Sequence, residues 1–493
     1  MSTALVIAVA YFLVLSVGTS LFLKRKIKTG SDFVTGGGKL AWPLVMAAFV
    51  LAPLGGGHTL SLWEASSNNG ASVLWWGMIS GGLFVPLFLL WFGPWFRRLG
   101  VQTFPEGMGK MFGERIGWLI SAVFPAQLIG ICIAEVTATA TAFYTLGGGT
   151  IPFAPHCIIL AIVLTILYII AAGLMQAAWM NLINAVMLIL GSFLAVFATG
   201  SWLAGRGGWE SIADFYAKAG TSWKISVLNF SPDVLFGVIF PCLILVVFMQ
   251  SSSQAQNQPL LAAKSDSDVR RGVFWASFIN SMAAYPWVIL ALVGMAIPSI
   301  ASEGAKLSVP ALALMALPSW MVGLLMIALL SATLSTTGGL MLASSHIIVH
   351  DIFKRAVNPK MSDATFLKLT RITILVCALL VVIPALKLPY IFSIFMWTFS
   401  FSIPVFGVYL LGMLWKVNKV AAWITILAGY AANFIWTFAP PSWWPSNMSL
   451  NVYPTTFVTL VCGVVLNLIL PGEPAYIHRL RSAEQTESSG ARR

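Results

Sequence analysis

Charged residues are scarce in this chain of 493 residues, where aspartate, glutamate, lysine and arginine together make up 9%. An ordinary soluble domain carries about 25%. The longest stretch between apolar segments has about thirty residues, which is too short to bury a core of its own. These shortages argue against any soluble domain, and with it against a soluble enzyme.

Cysteine is also rare, and its pattern disfavours both disulfides and a metal cluster. The five cysteines are odd in number, lack CxxC spacing and lie in or beside apolar runs. They are best interpreted as small apolar side chains that fill space. Their positions are Cys132, Cys157, Cys242, Cys377 and Cys462.

Apolar sequence occupies most of the chain, since 58% of its residues are hydrophobic. Thirteen runs are long enough to cross about 30 Å of hydrocarbon at roughly 1.5 Å per helical residue. Alternating segments of about ten residues, typical of a membrane barrel, are absent. The sequence therefore predicts an all-α integral membrane protein. The predicted spans are approximately residues 4–23, 42–63, 74–96, 116–146, 157–172, 177–203, 234–250, 273–298, 320–350, 370–386, 391–414, 420–439 and 453–470.

The net charge of +12 is explained by membrane topology rather than by nucleic-acid binding. If the amino terminus lies outside and thirteen spans follow, 23 of the 28 basic residues fall in the cytoplasm, as the positive-inside rule requires. We expect a multi-pass protein of the plasma membrane (the bacterial inner membrane) with a cytoplasmic carboxyl terminus. The first span lacks preceding basic residues and is followed by four, so we expect it to stay as a helix.

The ninth span places hydroxyl groups where they face one small volume. In the run ALLSATLSTTGGLMLASS, a helix brings the side-chain oxygens of Ser335 and Thr336 beside the carbonyl of Ala332. Such a set of uncharged oxygens suits a monovalent cation, and transporters often complete it with carbonyls from a broken helix. On the sequence of this run alone, close packing of helices through small residues is the better explanation.

The second span contains LAPLGGGH, residues 51–58, which a regular helix does not easily accommodate. Proline removes a backbone donor and three glycines weaken the helix, so backbone groups go unpaired within the membrane. We expect the carbonyls of Leu51–Leu54 to attract a cation and the amides of Gly55–Gly57 to attract an anion. His58 adds an ionisable group where such groups are costly and usually functional.

A second interruption is predicted in the seventh span. Pro241 lies at its middle, and its end passes into the polar run QSSSQAQNQ, residues 250–258. Counted from the second span, the two broken helices are units one and six. This is the pattern of two five-helix repeats of inverted topology.

Five stretches, in order along nearly the whole chain, resemble motifs of the sodium:solute symporter family, which includes bacterial sodium/galactose and sodium/proline symporters. The resemblance implies a leucine-transporter-like fold with a five-plus-five inverted repeat, and alternating access driven by sodium. The stretches are DFVTGGGKLAWP at 32–43, AGLMQAAWMN at 172–181 with Asn184, AAKS at 262–265, LST at 334–336 through SS at 344–345 to DIFK at 351–354, and PVFG at 404–407 through LGMLWKVN at 411–418.

The resemblance also implies a sodium site and a division of the chain. The implied sodium ligands are the carbonyls of Leu51, Leu54 and Ala332 and the hydroxyls of Ser335 and Thr336. Sodium is the coupling ion, with no other cofactor, and the partners are a small solute and the bilayer, without an obligate protein partner. The expected divisions are an extra helix and loop at 1–30, the two repeats at 31–203 and 204–415, two further helices at 416–475 and a disordered tail at 476–493.

Departures from the family pattern narrow the expected function. A Thr-Asp pair that some members associate with a second sodium is replaced by Met180 and Asn181, so we predict one sodium per solute. The positions that hold sugar on core helix 1 are matched by Pro53, Gly57 and His58, which disfavours a hexose. A Gln-Pro-His pattern with a following Arg is replaced by QAQNQP at 254–259.

The solute itself is the least constrained part of the prediction. Free amides at Gly55–Gly57, with Pro53 and His58 beside them, suit a carboxylate such as a monocarboxylate or an amino acid. Glu135, within the fourth span, is expected to contact a cation, to hydrogen-bond between helices, or to form a proton-coupling pair with His58. A proton-coupled carrier, or a carrier of a neutral amide or nucleobase, remains open as an alternative.

Two other classes of protein are weaker interpretations. His346, His350 and Asp351 have a spacing that would let a membrane-embedded enzyme hold a metal, but no third ligand outside this helix end is evident. A receptor that has lost transport would be expected to carry a signalling domain after the last span, and none follows. The sequence therefore predicts a transporter and not an enzyme.

Overall fold

The computed structural model describes residues 2–52, 54–386, 397–444 and 451–476, and it is almost entirely helical. A two-residue antiparallel pair, β1 (Lys416–Val417) with β2 (Glu473–Pro474), is the sheet within those residues. The predicted disordered tail lies, except for residue 476, outside them. The helices are α1 (Thr3–Leu23), α2 (Gly30–Thr35), α3 (Trp42–Leu51), α4 (Gly56–Asn69), α5 (Ala71–Arg98), α6 (Phe104–Phe112), α7 (Glu114–Leu146), α8 (Phe153–Ile169), α9 (Gly173–Ala204), α10 (Gly208–Lys218), α11 (Pro232–Ser252), α12 (Gln254–Leu261), α13 (Asp266–Met295), α14 (Pro298–Ala301), α15 (Ala305–Ala316), α16 (Ser319–Val357), α17 (Asp363–Ala385), α18 (Trp397–Leu414), α19 (Lys419–Phe438) and α20 (Val452–Ile469).

Each of the thirteen predicted spans has a counterpart among the helices, and the second span corresponds to two of them, α3 and α4. Eleven of those described are long and apolar enough to cross a membrane, and the pair α3 and α4 makes a twelfth span with a bend of 48°. The remaining predicted span is α8, which is apolar but shorter. The eleventh predicted span begins before α18, in residues outside the described part.

The most buried span is α16, which forms the centre of the helix bundle. It packs against α7 on one side and against α9 and α1 on another. Its hydroxyl-rich segment is therefore enclosed by protein, as the polar groups require, because lipid offers them no hydrogen-bond partner. In contrast, α1 is the least buried of the long helices and exposes apolar side chains such as Val14 and Leu21.

The interruption predicted in the seventh span lies at a different residue from the predicted one. Pro241 does not break α11, because a π-helical turn at Leu235–Ile239 precedes it and the helix then runs on to Ser252. The break falls at Ser253, whose backbone is extended (φ −66°, ψ 136°). Most of the polar run at 250–258 is therefore helical, as part of α12, and not irregular. The seventh span is thus broken by its serines rather than by its proline.

Candidate functional site

Four of the five predicted sodium ligands lie together, at the point where α3 ends against α16. The Thr336 hydroxyl donates to the carbonyl oxygens of Leu51 and Ala332, each at 3.0 Å. The Ser335 hydroxyl donates to the same Ala332 carbonyl at 2.8 Å. We call these four oxygens the oxygen cluster: Leu51 O, Ala332 O, Ser335 Oγ and Thr336 Oγ1. Bonding back to a carbonyl three or four residues earlier is what serine and threonine do within helices, so the local sequence produces this geometry.

The fifth predicted ligand is engaged elsewhere. The Leu54 carbonyl accepts a hydrogen bond from the Thr59 hydroxyl at 3.2 Å, across the start of α4. Pro53, the neighbouring residue predicted to line the substrate site, lies outside the described residues.

Because the oxygen cluster consists of uncharged oxygens, it suits a monovalent cation better than Ca²⁺ or Mg²⁺, whose sites use carboxylates.

The amides at the start of α4 are occupied by a side chain of the protein itself. The Glu135 carboxylate accepts from the amides of Gly56 (2.6 Å) and Gly57 (3.1 Å), and Glu135 is only 1% exposed. Its two oxygens therefore cap the helix. The prediction that these amides stay free for a substrate anion is wrong for Gly56 and Gly57. Both already donate to Glu135, which lies 79 positions after Gly56 in the chain.

Two of the glycines in the break leave the space that this close packing uses. A Cβ atom on Gly55 would lie 2.4 Å from Glu135 Oε1, and one on Gly56 would lie 2.1 Å from Thr333 Cγ2. Both distances are well below contact distance. The glycines thus let α7 and α16 approach the backbone of the break from two sides.

His58 faces the same region without contacting Glu135 through a hydrogen bond or ion pair in the described structure. Its ring packs edge-on against Trp76, with centroids 4.9 Å apart, and the residue is 4% exposed. The Nδ1 atom is buried and has no partner among the described residues. A direct proton-coupling pair of His58 and Glu135 is therefore not formed in this structure.

A cavity borders both the oxygen cluster and Glu135. Its polar lining is made of amide and hydroxyl side chains on four helices, together with His58 and Glu135, and within the described part of the chain no lysine or arginine lines it. Sequence reasoning missed the amides as site residues: it noted the polar run for its irregularity and Asn181 only as a poor ion ligand. The amide and hydroxyl side chains that line the cavity are Asn181, Gln250, Ser253, Gln258, Ser335 and Thr336.

Asn181 is held in one orientation by a chain of hydrogen bonds that begins on α1. Tyr11 donates to Asn184 Oδ1 (2.9 Å), Asn184 Nδ2 donates to the Tyr168 hydroxyl (2.8 Å), and Tyr168 donates to Asn181 Oδ1 (2.6 Å). This directional chain makes the Asn181 amide oxygen an acceptor, so the donor of this cavity-lining side chain is its amide nitrogen. The amide oxygen already accepts one hydrogen bond, from Tyr168.

The cluster of His346, His350 and Asp351 is a structural network at the far end of α16. Asp351 is fully buried, accepts from the hydroxyls of Thr103 and Ser121, and lies 2.8 Å from His350 Nδ1. Among the described residues, no three histidine, cysteine, aspartate or glutamate side chains lie close enough together to hold a metal. The metalloenzyme interpretation therefore gains no support from the geometry.

Known proteins match the chain over most of its length. A model of the sodium:solute symporter family matches residues 33–429. The chain is similar to a sodium/myo-inositol cotransporter 2 of Rattus norvegicus (25% identity, covering 87% of this chain and 69% of the relative). It is also similar to a sodium/glucose cotransporter of Vibrio parahaemolyticus (23% identity, covering 88% and 85%).

A solved structure of a Na⁺-coupled sialic acid symporter, in a substrate-bound outward-open state, has the same fold. The TM-score is 0.79, the identity is 17%, and the alignment covers 96% of this chain and 98% of that one. The predicted leucine-transporter-like fold is confirmed by this likeness.

Proposed function

The chain belongs to the sodium:solute symporter family, and we propose that it uses a sodium gradient to import a small, uncharged solute rich in hydrogen-bonding groups. It is a sodium-coupled symporter and not an enzyme. The observation that carries the proposed solute class is the set of amide and hydroxyl side chains in an otherwise largely apolar cavity wall, where, among the described residues, no lysine or arginine occurs.

The oxygen cluster supports sodium coupling because it joins two helices that also line the solute cavity. Leu51 belongs to α3, while Ser335 and Thr336 belong to α16 and line the cavity. An ion held by both helices would fix the position of the broken span relative to α16. Since Ala52, Gly55 and His58 on that span line the cavity too, sodium binding would alter the affinity for the solute, which is the coupling that symport requires.

The expected carboxylate solute has lost most of its physical basis. It rested on free amides at Gly55–Gly57 and on His58, and Glu135 accepts from two of the three amides. A buried carboxylate beside the cavity would also repel an anionic solute. The named substrates of the two relatives are glucose and myo-inositol, which are uncharged and polyhydroxylated, and this supports a neutral solute here.

The solute class is tested by reconstituting the purified protein into proteoliposomes and recording transport currents on a solid-supported membrane. D-glucose, myo-inositol, uracil, proline and lactate are applied with sodium and, as the control, with choline. We expect sodium-dependent currents with one or more of the uncharged solutes and none with lactate. Currents with lactate or proline but with none of glucose, myo-inositol and uracil would restore the carboxylate prediction, and transport driven by a proton gradient without sodium would overturn sodium coupling.

We propose one sodium ion per solute molecule. At the positions where some relatives of the family carry a Thr-Asp pair, Met180 is fully buried and Asn181 Oδ1 already accepts the Tyr168 hydroxyl. A thioether and an engaged amide are weak ligands for sodium. We therefore expect the sodium dependence of transport to give a Hill coefficient near one, whereas a coefficient clearly near two would contradict the proposal.

The membrane orientation proposed with this function has the amino terminus outside and the carboxyl terminus in the cytoplasm. It rests on the distribution of lysine and arginine, most of which fall on one side of the thirteen spans. The division of the chain into repeats at 31–203 and 204–415, flanked by an extra amino-terminal helix and two carboxyl-terminal helices, is likewise proposed from the sequence and the family.

A further inference from the structure

We propose that Glu135 is the counter-charge of the bound sodium ion, placed on the opposite side of the helix break from the oxygen cluster. This inference rests on the proposed sodium site and assigns it a residue that is not an ion ligand. Glu135 would set the affinity for sodium through its negative charge, in addition to capping α4.

The break presents two ends of opposite polarity. The carboxyl end of α3 offers carbonyl oxygens, one of which belongs to the oxygen cluster, and the amino end of α4 offers amides, two of which bind Glu135. A cation at the carbonyl end and a carboxylate at the amide end are each stabilised by the half-helix that they meet. The two charges then lie on either side of the same short break and attract one another.

Glu135 forms no ion pair with a basic side chain among the described residues, so a sodium ion in the oxygen cluster would supply a balancing positive charge. The side chain is 1% exposed, and the cavity wall within the described residues contains no lysine or arginine. The titratable groups that face this region are His58 on α4 and the Cys132 thiol on the same helix as Glu135. An unpaired buried carboxylate is costly within a membrane, so a nearby cation site gains affinity from its presence.

A capping role alone would give a different result from a counter-charge role. Glutamine at position 135 keeps the length and one oxygen that accepts an amide hydrogen, but it removes the charge. Aspartate keeps the charge but is one methylene shorter, so it reaches the amides of Gly56 and Gly57 less well. The counter-charge role therefore predicts that Glu135→Asp binds sodium better than Glu135→Gln, and capping alone predicts the reverse order.

The test uses sodium itself as the probe, so it does not depend on the identity of the solute. The melting temperature of the purified protein is followed as sodium chloride replaces choline chloride at constant ionic strength, since a bound ligand stabilises the folded state. We expect Glu135→Gln to raise the half-saturating sodium concentration by about tenfold. We expect Glu135→Asp to stay within about threefold of the wild type.

The controls separate this inference from the proposed function. Ser335→Ala removes one oxygen of the oxygen cluster and leaves Glu135 in place. It should therefore lose the stabilisation by sodium because a ligand is missing, and not because a charge is missing. A wild-type protein that does not respond to sodium overturns the proposed sodium site. A wild-type response that Glu135→Gln leaves unchanged overturns only the counter-charge role. If the glutamine variant does not fold, Glu135→Asp decides alone, because a loss of tenfold or more in that variant contradicts the inference.

Discussion

Thr336→Val is expected to raise the sodium concentration needed for half-maximal stabilisation by about tenfold to a hundredfold. The Thr336 hydroxyl contacts carbonyl oxygens of both α3 and α16, at 3.0 Å each, and valine keeps the shape of the side chain while removing that oxygen. A hydrogen-bonding group that meets a charge contributes roughly 1.5–3 kcal/mol, which corresponds to this change in affinity. The measurement is a sodium titration of the melting temperature, followed by sodium-driven transport in proteoliposomes.

The neighbouring threonine provides a matched control. Thr337 is fully buried, and its hydroxyl donates at 2.7 Å to the Thr333 carbonyl within its own helix. Thr337→Val therefore removes the same atom from the same helix without touching α3. We expect it to retain the wild-type sodium affinity, and equal losses in the two variants would show that the oxygen cluster has no special role in binding the ion.

The oxygen cluster was predictable because each of its parts has a local signal. Helical spacing places Ser335 and Thr336 beside the Ala332 carbonyl, and the proline and glycines after Leu51 indicate a broken span that frees carbonyls. The pairing of the two segments came from the architecture and the family resemblance. The structure adds the direct contact from Thr336 to Leu51, and it places the Leu54 carbonyl with Thr59 instead.

The partner of the α4 amides could not be predicted in the same way. A free helix start attracts any anion, and sequence alone does not indicate whether that anion is a ligand or a side chain. Glu135 is the answer only because α7 packs closely against α4, a tertiary contact between residues 79 positions apart. The orientation of Asn181 was hidden for the same reason, since it depends on the hydrogen bonds that Tyr168 makes with Asn181 and Asn184.

Pro241 shows that a proline in the sequence does not always mark a break in a helix. Proline is costly inside a regular helix, but it is tolerated where a preceding π-helical turn has already altered the hydrogen-bond pattern. The structure has that turn at Leu235–Ile239, so α11 continues past Pro241. The break appears at Ser253, where the extended backbone leaves the serine side chain to accept from the Ala255 amide at the start of α12.

Gly55→Ala is expected to abolish sodium-driven transport and to lower the stability of the protein by on the order of 2–6 kcal/mol. The new methyl group would lie 2.4 Å from Glu135 Oε1 and 2.8 Å from its carboxyl carbon, so the carboxylate must move away. Its departure leaves the buried amides of Gly56 and Gly57 without partners, at a cost of roughly 1–3 kcal/mol for each. Melting temperature and sodium-dependent currents report the two effects.

A double-mutant cycle tests whether Gly55→Ala acts through Glu135. In a Glu135→Ala background the carboxylate is absent, so the methyl group at position 55 meets no clash and should cost little further stability. Gly18→Ala on α1 serves as the control for replacing a glycine in a helix, because nothing lies within 4 Å of the added Cβ and alanine is the better helix former there. If Gly55→Ala lowers the melting temperature equally in both backgrounds, its effect arises from the backbone of the break. If Gly55→Ala lowers the melting temperature much less in the Glu135→Ala background, position 55 needs glycine because of Glu135. The Glu135 side chain, held by the two following amides, then occupies the space that any larger residue at position 55 would need.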